Sequence, residues 1–264
     1  MTNYRWIFCG SLLNRITNKD RLFQGDYTLD PYQKCDLGCR YCDASEDTVY
    51  IKSNAAKLLK EEIKEIKRGT VIVGSTVDPY QMVEKKQRIT RELLRILTDH
   101  GLPFHVLTKS GLILRDLPLI SESKNARITI SLSTINKKIT KVLEPFAASP
   151  EKRFNVVKKL SEEGIQAGVA IMPVLPVITD EDLETIIEEA KNAGAKHIIY
   201  ATLQLKGEQK KRFFSTLETH FPEYLREYKR FYSRGYFPSN YTIGDKIRFY
   251  CDKYKIKKVF GSDL

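Results

Sequence analysis

An alternation restricts the fold of this chain more than any single residue does. Short β-branched runs recur at 70–76 (TVIVGST), 104–110 (FHVLTKS), 126–134 (ARITISLST), 166–174 (QAGVAIMPV) and 197–205 (HIIYATLQL), with amphipathic stretches between them. A shorter strand is expected near Asp26–Leu29, giving six. Residues 56–68 place Leu58, Leu59, Ile63 and Ile66 on one helical face, and Gly69 ends that helix. Ser149, Pro150 and Glu151 read as an N-cap, a first-turn proline and a first-turn acid, opening a helix through Phe154, Val157 and Leu160 to Gly164. Thr179 reads as the cap of another, with Asp180, Glu181 and Asp182 in its first turn and Gly194 at its end. Strand and helix in turn at this pitch predict βαβ units and a parallel sheet. Six strands are too few for a closed eightfold barrel and suit a partial (β/α)6 TIM-type barrel.

In such sheets ligands gather at the carboxyl ends of the strands. Polar residues collect there in four places: 74–78 (GSTVD), 108–110 (TKS), 131–134 (SLST) and 202–204 (TLQ). No low-complexity run, internal repeat or Gly/Ser/Pro-rich linker is apparent. The expected organisation is a single domain over 1–264, with an N-terminal extension at 1–25, the barrel core at 26–205 and a helical, basic-aromatic extension at 206–264.

The formal charge is +11, and residues 206–264 hold 14 Lys and Arg against 7 Asp and Glu, with 14 of the 27 aromatics. Such a tail either caps the barrel, burying Phe and Tyr, or attracts phosphates and stacks bases. No run approaches the roughly 18 apolar residues of a membrane span, and no secretory segment is visible. The chain is read as soluble, without a membrane partner, and cytoplasmic. Its five cysteines are odd in number and clustered, unlike a secreted disulfide framework.

Three of the five, Cys35, Cys39 and Cys42, fall within CDLGCRYC. Three unpaired thiols in a reducing compartment suit a metal. A structural zinc site takes four ligands and the nearest histidine in sequence is His100, although zinc with one open position stays conceivable. A [4Fe–4S] cluster ordinarily takes four thiolates. Three leave one iron open to a small chelating molecule. Gly38 lets the loop fold back on itself.

The spacing C-x3-C-x2-C, with an aromatic before the last cysteine, resembles the signature of radical S-adenosylmethionine (SAM) enzymes. The stretches DPYQKC at 30–35, GSTVDPYQ at 74–81, LTKS at 107–110, ISLS at 130–133, LEP at 143–145 and PEKR at 150–153 are similar to the spore photoproduct lyase-like, or DNA repair photolyase-like, branch. The resemblance implies that Cys35, Cys39 and Cys42 ligate a [4Fe–4S] cluster, that SAM chelates the open iron, and that reduction releases a 5′-deoxyadenosyl radical. It implies an external electron donor of flavodoxin or ferredoxin type. It places Tyr41 against the adenine and Gly74, Ser75 and Thr76 at the SAM ammonium, without the acidic residue many relatives carry there. It sets Lys109 and Ser131 at the carboxylate or ribose, and Ser133, two residues on, is expected on the same strand face as Ser131. Arg153 is a further candidate SAM contact, though Glu144 and Arg153 also read as an ion pair across a helix start.

One position departs from that branch. Ser75 stands where the spore enzyme has a hydrogen-donating cysteine, and a serine O–H bond is too strong for that relay. Cys9, Cys251, Tyr32 and Tyr80 are the substitutes the sequence offers, and the catalytic residue stays unassigned. The leading expectation is a radical SAM enzyme acting on a nucleic acid or nucleotide-derived group. The alternatives are the same chemistry on a protein, peptide or small molecule, and a non-catalytic zinc or iron–sulfur module.

Overall fold

The structure is a computed structural model and describes residues 2–18, 20–256 and 258–262. The end positions of the expected domain, 1 and 264, lie outside the described residues. In chain order the strands are β1 (Asn3–Ile7), β2 (Leu13–Arg15), β3 (Tyr27–Leu29), β4 (Tyr32–Gln33), β5 (Thr48–Lys52), β6 (Val71–Val73), β7 (Phe104–Thr108), β8 (Arg127–Ser131), β9 (Gln166–Val174), β10 (His197–Thr202) and β11 (Lys258–Ser262). The α-helices are α1 (Ala55–Glu62), α2 (Glu84–Gln87), α3 (Ile89–Asp99), α4 (Leu117–Glu122), α5 (Lys137–Leu143), α6 (Pro150–Glu162), α7 (Ile178–Asn192), α8 (Gly207–His220), α9 (Pro222–Phe231) and α10 (Gly244–Lys253).

Eight strands make one sheet in the order β11-β10-β9-β8-β7-β6-β3-β2. The six strands expected from sequence, β3 and β6 to β10, stand side by side in chain order, each parallel to the next. Two more extend the sheet beyond the expected core. β2 adds antiparallel to β3, and β11 adds parallel to β10. The outer strands do not pair with each other, so the barrel is open. β1 of the N-terminal segment joins β5 and β4 in a second, three-stranded sheet, ordered β1-β5-β4.

Side chains alternate across the pleat. Val71, Val73, Val106, Ile128, Ile130, Val169 and Ile171 belong to the large core under the helices, while Ile72, Ala170 and Ile199 join Phe23 in a smaller cluster. A third cluster joins Tyr32, Val49 and Ile51 of the small sheet to Phe213, Leu217, Tyr228 and Tyr232 of the C-terminal helices. Most of the tail's aromatic side chains therefore serve as a cap. Tyr236 and Phe249 are its exposed exceptions.

Ser149 caps α6 as expected, its hydroxyl accepting from Lys152 N at 3.5 Å. Two helix readings change. α1 stops at Glu62, tightens into a 3₁₀ turn over Ile63–Glu65 and becomes extended at Ile66, because the chain must turn there to enter β6. Thr179 lies inside α7, and Val177 is its N-cap. The Thr179 hydroxyl is buried, accepts from Leu175 N at 2.8 Å and donates to Ser133 O at 2.7 Å. A buried hydroxyl satisfying two buried backbone groups outweighs a cap that water could replace. Asp180 instead accepts from Val177 N at 2.9 Å.

A buried polar chain crosses the inside of the sheet. His105 Nδ1 donates to Phe23 O at 3.1 Å, and Thr129 Oγ1 donates to His105 Nε2 at 2.6 Å. His197 Nε2 then donates to Thr129 Oγ1 at 2.7 Å. Gly168 makes room, since a Cβ there would lie 2.3 Å from His197 Nε2. Burial lowers the His105 pKa from 6.5 to about 4. The unfolded chain then binds the extra proton first, so this contribution is complete above pH 6.5 and lost as pH falls toward 4. The expected loss is about 3 kcal/mol. Melting temperatures measured from pH 7 to pH 4.5 should fall, and fall less steeply for His105→Asn. Parallel curves for the two proteins count against this assignment.

Candidate active site

The cysteine loop leaves β4 and folds back on itself. Cys35 N donates to Ala44 O at 2.8 Å, and Cys42 N donates to Cys39 O at 3.2 Å. Gly38 sits at φ +69°, and a Cβ there would lie 3.1 Å from the Phe146 ring. The left-handed backbone favours glycine here, and a side chain would also have to displace the Phe146 ring. The thiols of Cys35, Cys39 and Cys42 are free, and all three residues border one cavity of about 480 Å³. That volume is typical of a small-molecule site.

Three sets of polar groups hold the loop. From below, Gln81 Oε1 accepts from Asp36 N at 2.9 Å while its amide donates to Lys34 O at 3.2 Å. The Asp36 carboxylate accepts from Met82 N at 2.7 Å and Val83 N at 2.9 Å. From outside, Gln209 of α8 donates to Tyr41 O, and Arg212 donates to Cys42 O. From behind, the Tyr41 hydroxyl donates to Glu144, whose other oxygen pairs with Arg153. Arg153 also donates to Ser131 O at 2.9 Å and Ala148 O at 2.7 Å. Burial pushes Glu144 up, but Arg153, Lys109 and the Tyr41 hydroxyl outweigh it, so its carboxyl lies below the usual range.

The facing wall is built from strand ends. Gly74 follows β6 at φ +89°, and a Cβ there would lie 2.4 Å from Pro79 and 2.8 Å from Leu107 O. Ser75 and Thr76 hydroxyls donate to Asp30 at 3.0 and 2.8 Å. An acid is therefore present at this edge, supplied by the end of β3 rather than by β6. Asp78 accepts from Thr108 Oγ1 and Lys109 N, each at 2.6 Å. Burial pushes the Asp78 carboxyl up, against those hydrogen bonds. Lys109 Nζ enters the cavity, donating to Ser131 Oγ at 2.5 Å and Met172 O at 3.1 Å, and lies 6.0 Å from the Tyr41 ring centre. Thr202 and Gln204 line the same space after β10.

Of the residues singled out from sequence, Cys35, Cys39, Tyr41, Cys42, Gly74, Ser75, Thr76, Lys109 and Ser131 share this cavity. Ser133 and Arg153 do not. β8 ends at Ser131, so the two-residue alternation no longer holds at Ser133, which is buried with its hydroxyl unpartnered. Arg153 is 1% exposed and lies behind the wall in its ion pair. The four substitute hydrogen donors are also elsewhere. Cys9 faces Asn54 Oδ1 at 3.4 Å, and Cys251 is buried in α10. Tyr32 and Tyr80 donate to Glu84 and Asp116, two carboxylates joined by Arg115. The tetrapeptide Asp-Pro-Tyr-Gln occurs at 30–33 and again at 78–81. It is the sequence signal for these overlooked supports: both tyrosines enter one ionic network, and both aspartates reach the cavity wall.

The donor set fits an iron–sulfur cluster with one open iron. Burial raises the pKa of all three thiols, Cys39 to about 12. Thiolates at such positions are stabilised by bound metal. Among the described residues no three Cys, His, Asp or Glu converge as ligands of a single ion, whereas a cluster spreads its thiolates over several irons.

Comparison with known proteins gives a consistent picture. Residues 29–190 match the Radical SAM superfamily. An uncharacterized protein of Mycobacterium tuberculosis is 30% identical over 258 residues, spanning 89% of this chain and 75% of that one. A radical SAM Nalpha-GlyT isomerase of Pseudomonas phage M6 is 20% identical over 175 residues, spanning 62% and 36%. Among solved structures, spore photoproduct lyase complexed with dinucleoside spore photoproduct superposes with a TM-score of 0.72 at 15% identity, covering 98% of this chain and 82% of that one.

Arg153→Met should leave Glu144 buried without its cation and lower stability by about 3–5 kcal/mol. Urea unfolding of the metal-free protein checks this, and Glu144→Gln combined with Arg153→Met should recover part of the loss. A change below about 1 kcal/mol contradicts the assigned role.

Proposed function

Because the chain belongs to the Radical SAM superfamily, we propose that the cavity holds a [4Fe–4S] cluster on Cys35, Cys39 and Cys42 with SAM beside it, and that the enzyme acts on a nucleic acid or a nucleotide-derived group. The observation that carries the cofactor reading is that three free thiols border one cavity with Lys109, whose ammonium is held beside Ser131 at its wall. When bound and reduced by a flavodoxin- or ferredoxin-type donor, the cluster and SAM supply a 5′-deoxyadenosyl radical that removes hydrogen from substrate.

The chain's own residues have distinct tasks in this reading. Lys109 neutralises the SAM carboxylate, and Ser131 beside it offers a hydroxyl. The carbonyls of Gly74 and its neighbours accept from the ammonium, with Asp30 and Asp78 adding negative charge behind them. Ser75 and Thr76 hydroxyls are already turned to Asp30, so they orient that carboxylate. The Tyr41 ring lies along the adenine side, held by Glu144. Among the described residues the cavity's only thiols are the three proposed ligands. That separates the proposed reaction from a repair relay that returns hydrogen through a further cysteine.

The substrate reading draws support from the +11 charge and from the names of two similar proteins. One is complexed with a dinucleoside photoproduct, and the other is named an Nalpha-GlyT isomerase. A base paired in a duplex must be flipped or already single-stranded to enter such a cavity.

Anaerobic reconstitution should load about four irons, and dithionite with SAM should yield 5′-deoxyadenosine. Replacing all three cysteines by alanine should abolish both. A colourless protein that leaves SAM intact contradicts the assignment. Lys109→Ala should weaken SAM binding about ten- to a hundredfold, the cost of one charged hydrogen bond, while iron content is unchanged. Binding to tRNA and to damaged DNA should weaken with salt; no affinity for either directs the search to peptides and small molecules.

A further inference from the structure

β1 is a free edge of the small sheet, paired with β5 alone. It presents Tyr4 and Trp6 at alternate positions, and Phe8 follows just past the strand's end; these are 43%, 57% and 85% exposed. Trp6 is the chain's single tryptophan. The register partners of Tyr4 and Trp6 are Val49 and Ile51, both fully buried. The apolar face of the sheet thus runs on past the core and ends in exposed aromatics, the kind of patch that marks an interaction surface.

The row is fixed in place rather than loose. The Tyr4 hydroxyl donates to Asp36 at 3.1 Å, and the same carboxylate accepts from Met82 N. Met82 is 41% exposed, and α2 just beyond it exposes Lys85 and Lys86. Asp36 stands between Cys35 and Leu37, which both line the cavity. An aromatic and basic surface is therefore tied to the loop that carries the proposed cluster ligands.

We propose that this edge is a stacking platform for a single-stranded nucleic acid, with bases on Trp6 and Phe8 and phosphates near Lys85 and Lys86. Aromatic rings with adjacent cations suit single strands, whose base faces are free. Charge selects this occupant over a second copy of the chain, because two molecules at +11 repel each other whereas a polyanion is attracted. The platform rests on the nucleic-acid reading given above and assigns it a surface. Of the tail's aromatics only Tyr236 and Phe249 are exposed, and they stand singly, one in a loop and one on α10.

The test titrates the full-length protein with a fluorescein-labelled single-stranded oligothymidylate 12-mer and with a 12-base-pair duplex, reading anisotropy and Trp6 emission. The single strand should quench Trp6. Trp6→Ala should weaken its binding about tenfold, Phe8→Ala should weaken it several-fold, and Trp6→Phe should retain most of it. The duplex should bind more weakly without quenching. Saturable binding that leaves Trp6 emission and the Trp6→Ala affinity unchanged overturns the platform while the nucleic-acid reading stands. No binding at any salt concentration removes both. A dimer in sedimentation that Trp6→Ala dissolves assigns the edge to a second copy and overturns the proposal.

Discussion

The site depends on one buried ion pair. Glu144 and Arg153 lie behind the cysteine loop, and between them they reach the Tyr41 hydroxyl, Ser131 O and Ala148 O. Charges taken out of water are costly unless paired and hydrogen-bonded. This pair meets both conditions only if the loop, the end of β8 and the start of α6 take one mutual arrangement. The same demand for satisfied charge therefore sets the distance between Tyr41 on the loop and Lys109 on the opposite wall.

The other contacts to the loop follow the same logic with weaker groups. Gln81 and Asp36 join it to the segment after β6, and Gln209 and Arg212 join it to α8. Each hydrogen bond contributes modestly, while each buried group left unpaired would cost more. The C-terminal helices thus do two jobs. They cover the apolar side of the loop with Phe213, Leu217 and Tyr228, and they satisfy backbone carbonyls the loop cannot satisfy alone. A short loop with three cysteines has no regular structure of its own, so its shape comes from these neighbours.

A distinction runs through the polar residues at the strand ends. Ser75, Thr76, Thr108 and Ser131 border the cavity, yet each hydroxyl is engaged with a neighbouring protein group. Lys109 is likewise engaged, with Ser131 and Met172 O, but it alone of these groups brings a formal charge to the cavity. Positioning and binding are thus divided between side chains that sequence alone lists together.

The parallel sheet, its six central strands and the cysteine loop at their carboxyl ends were legible in the chain itself. β-branched runs, amphipathic stretches and C-x3-C-x2-C are local patterns, and local patterns survive in a one-dimensional record. So was the union of Lys109 and Ser131 with the cysteines at one edge. Tertiary structure decided the rest. It took Ser133 and Arg153 out of the cavity, put Thr179 inside its helix, brought Asp30 across to Ser75, and turned Trp6 outward while leaving only Tyr236 and Phe249 of the tail's aromatics exposed. Each of these outcomes depends on which distant group satisfies a buried charge or hydroxyl, or covers an apolar face, and such partners are set by three-dimensional packing.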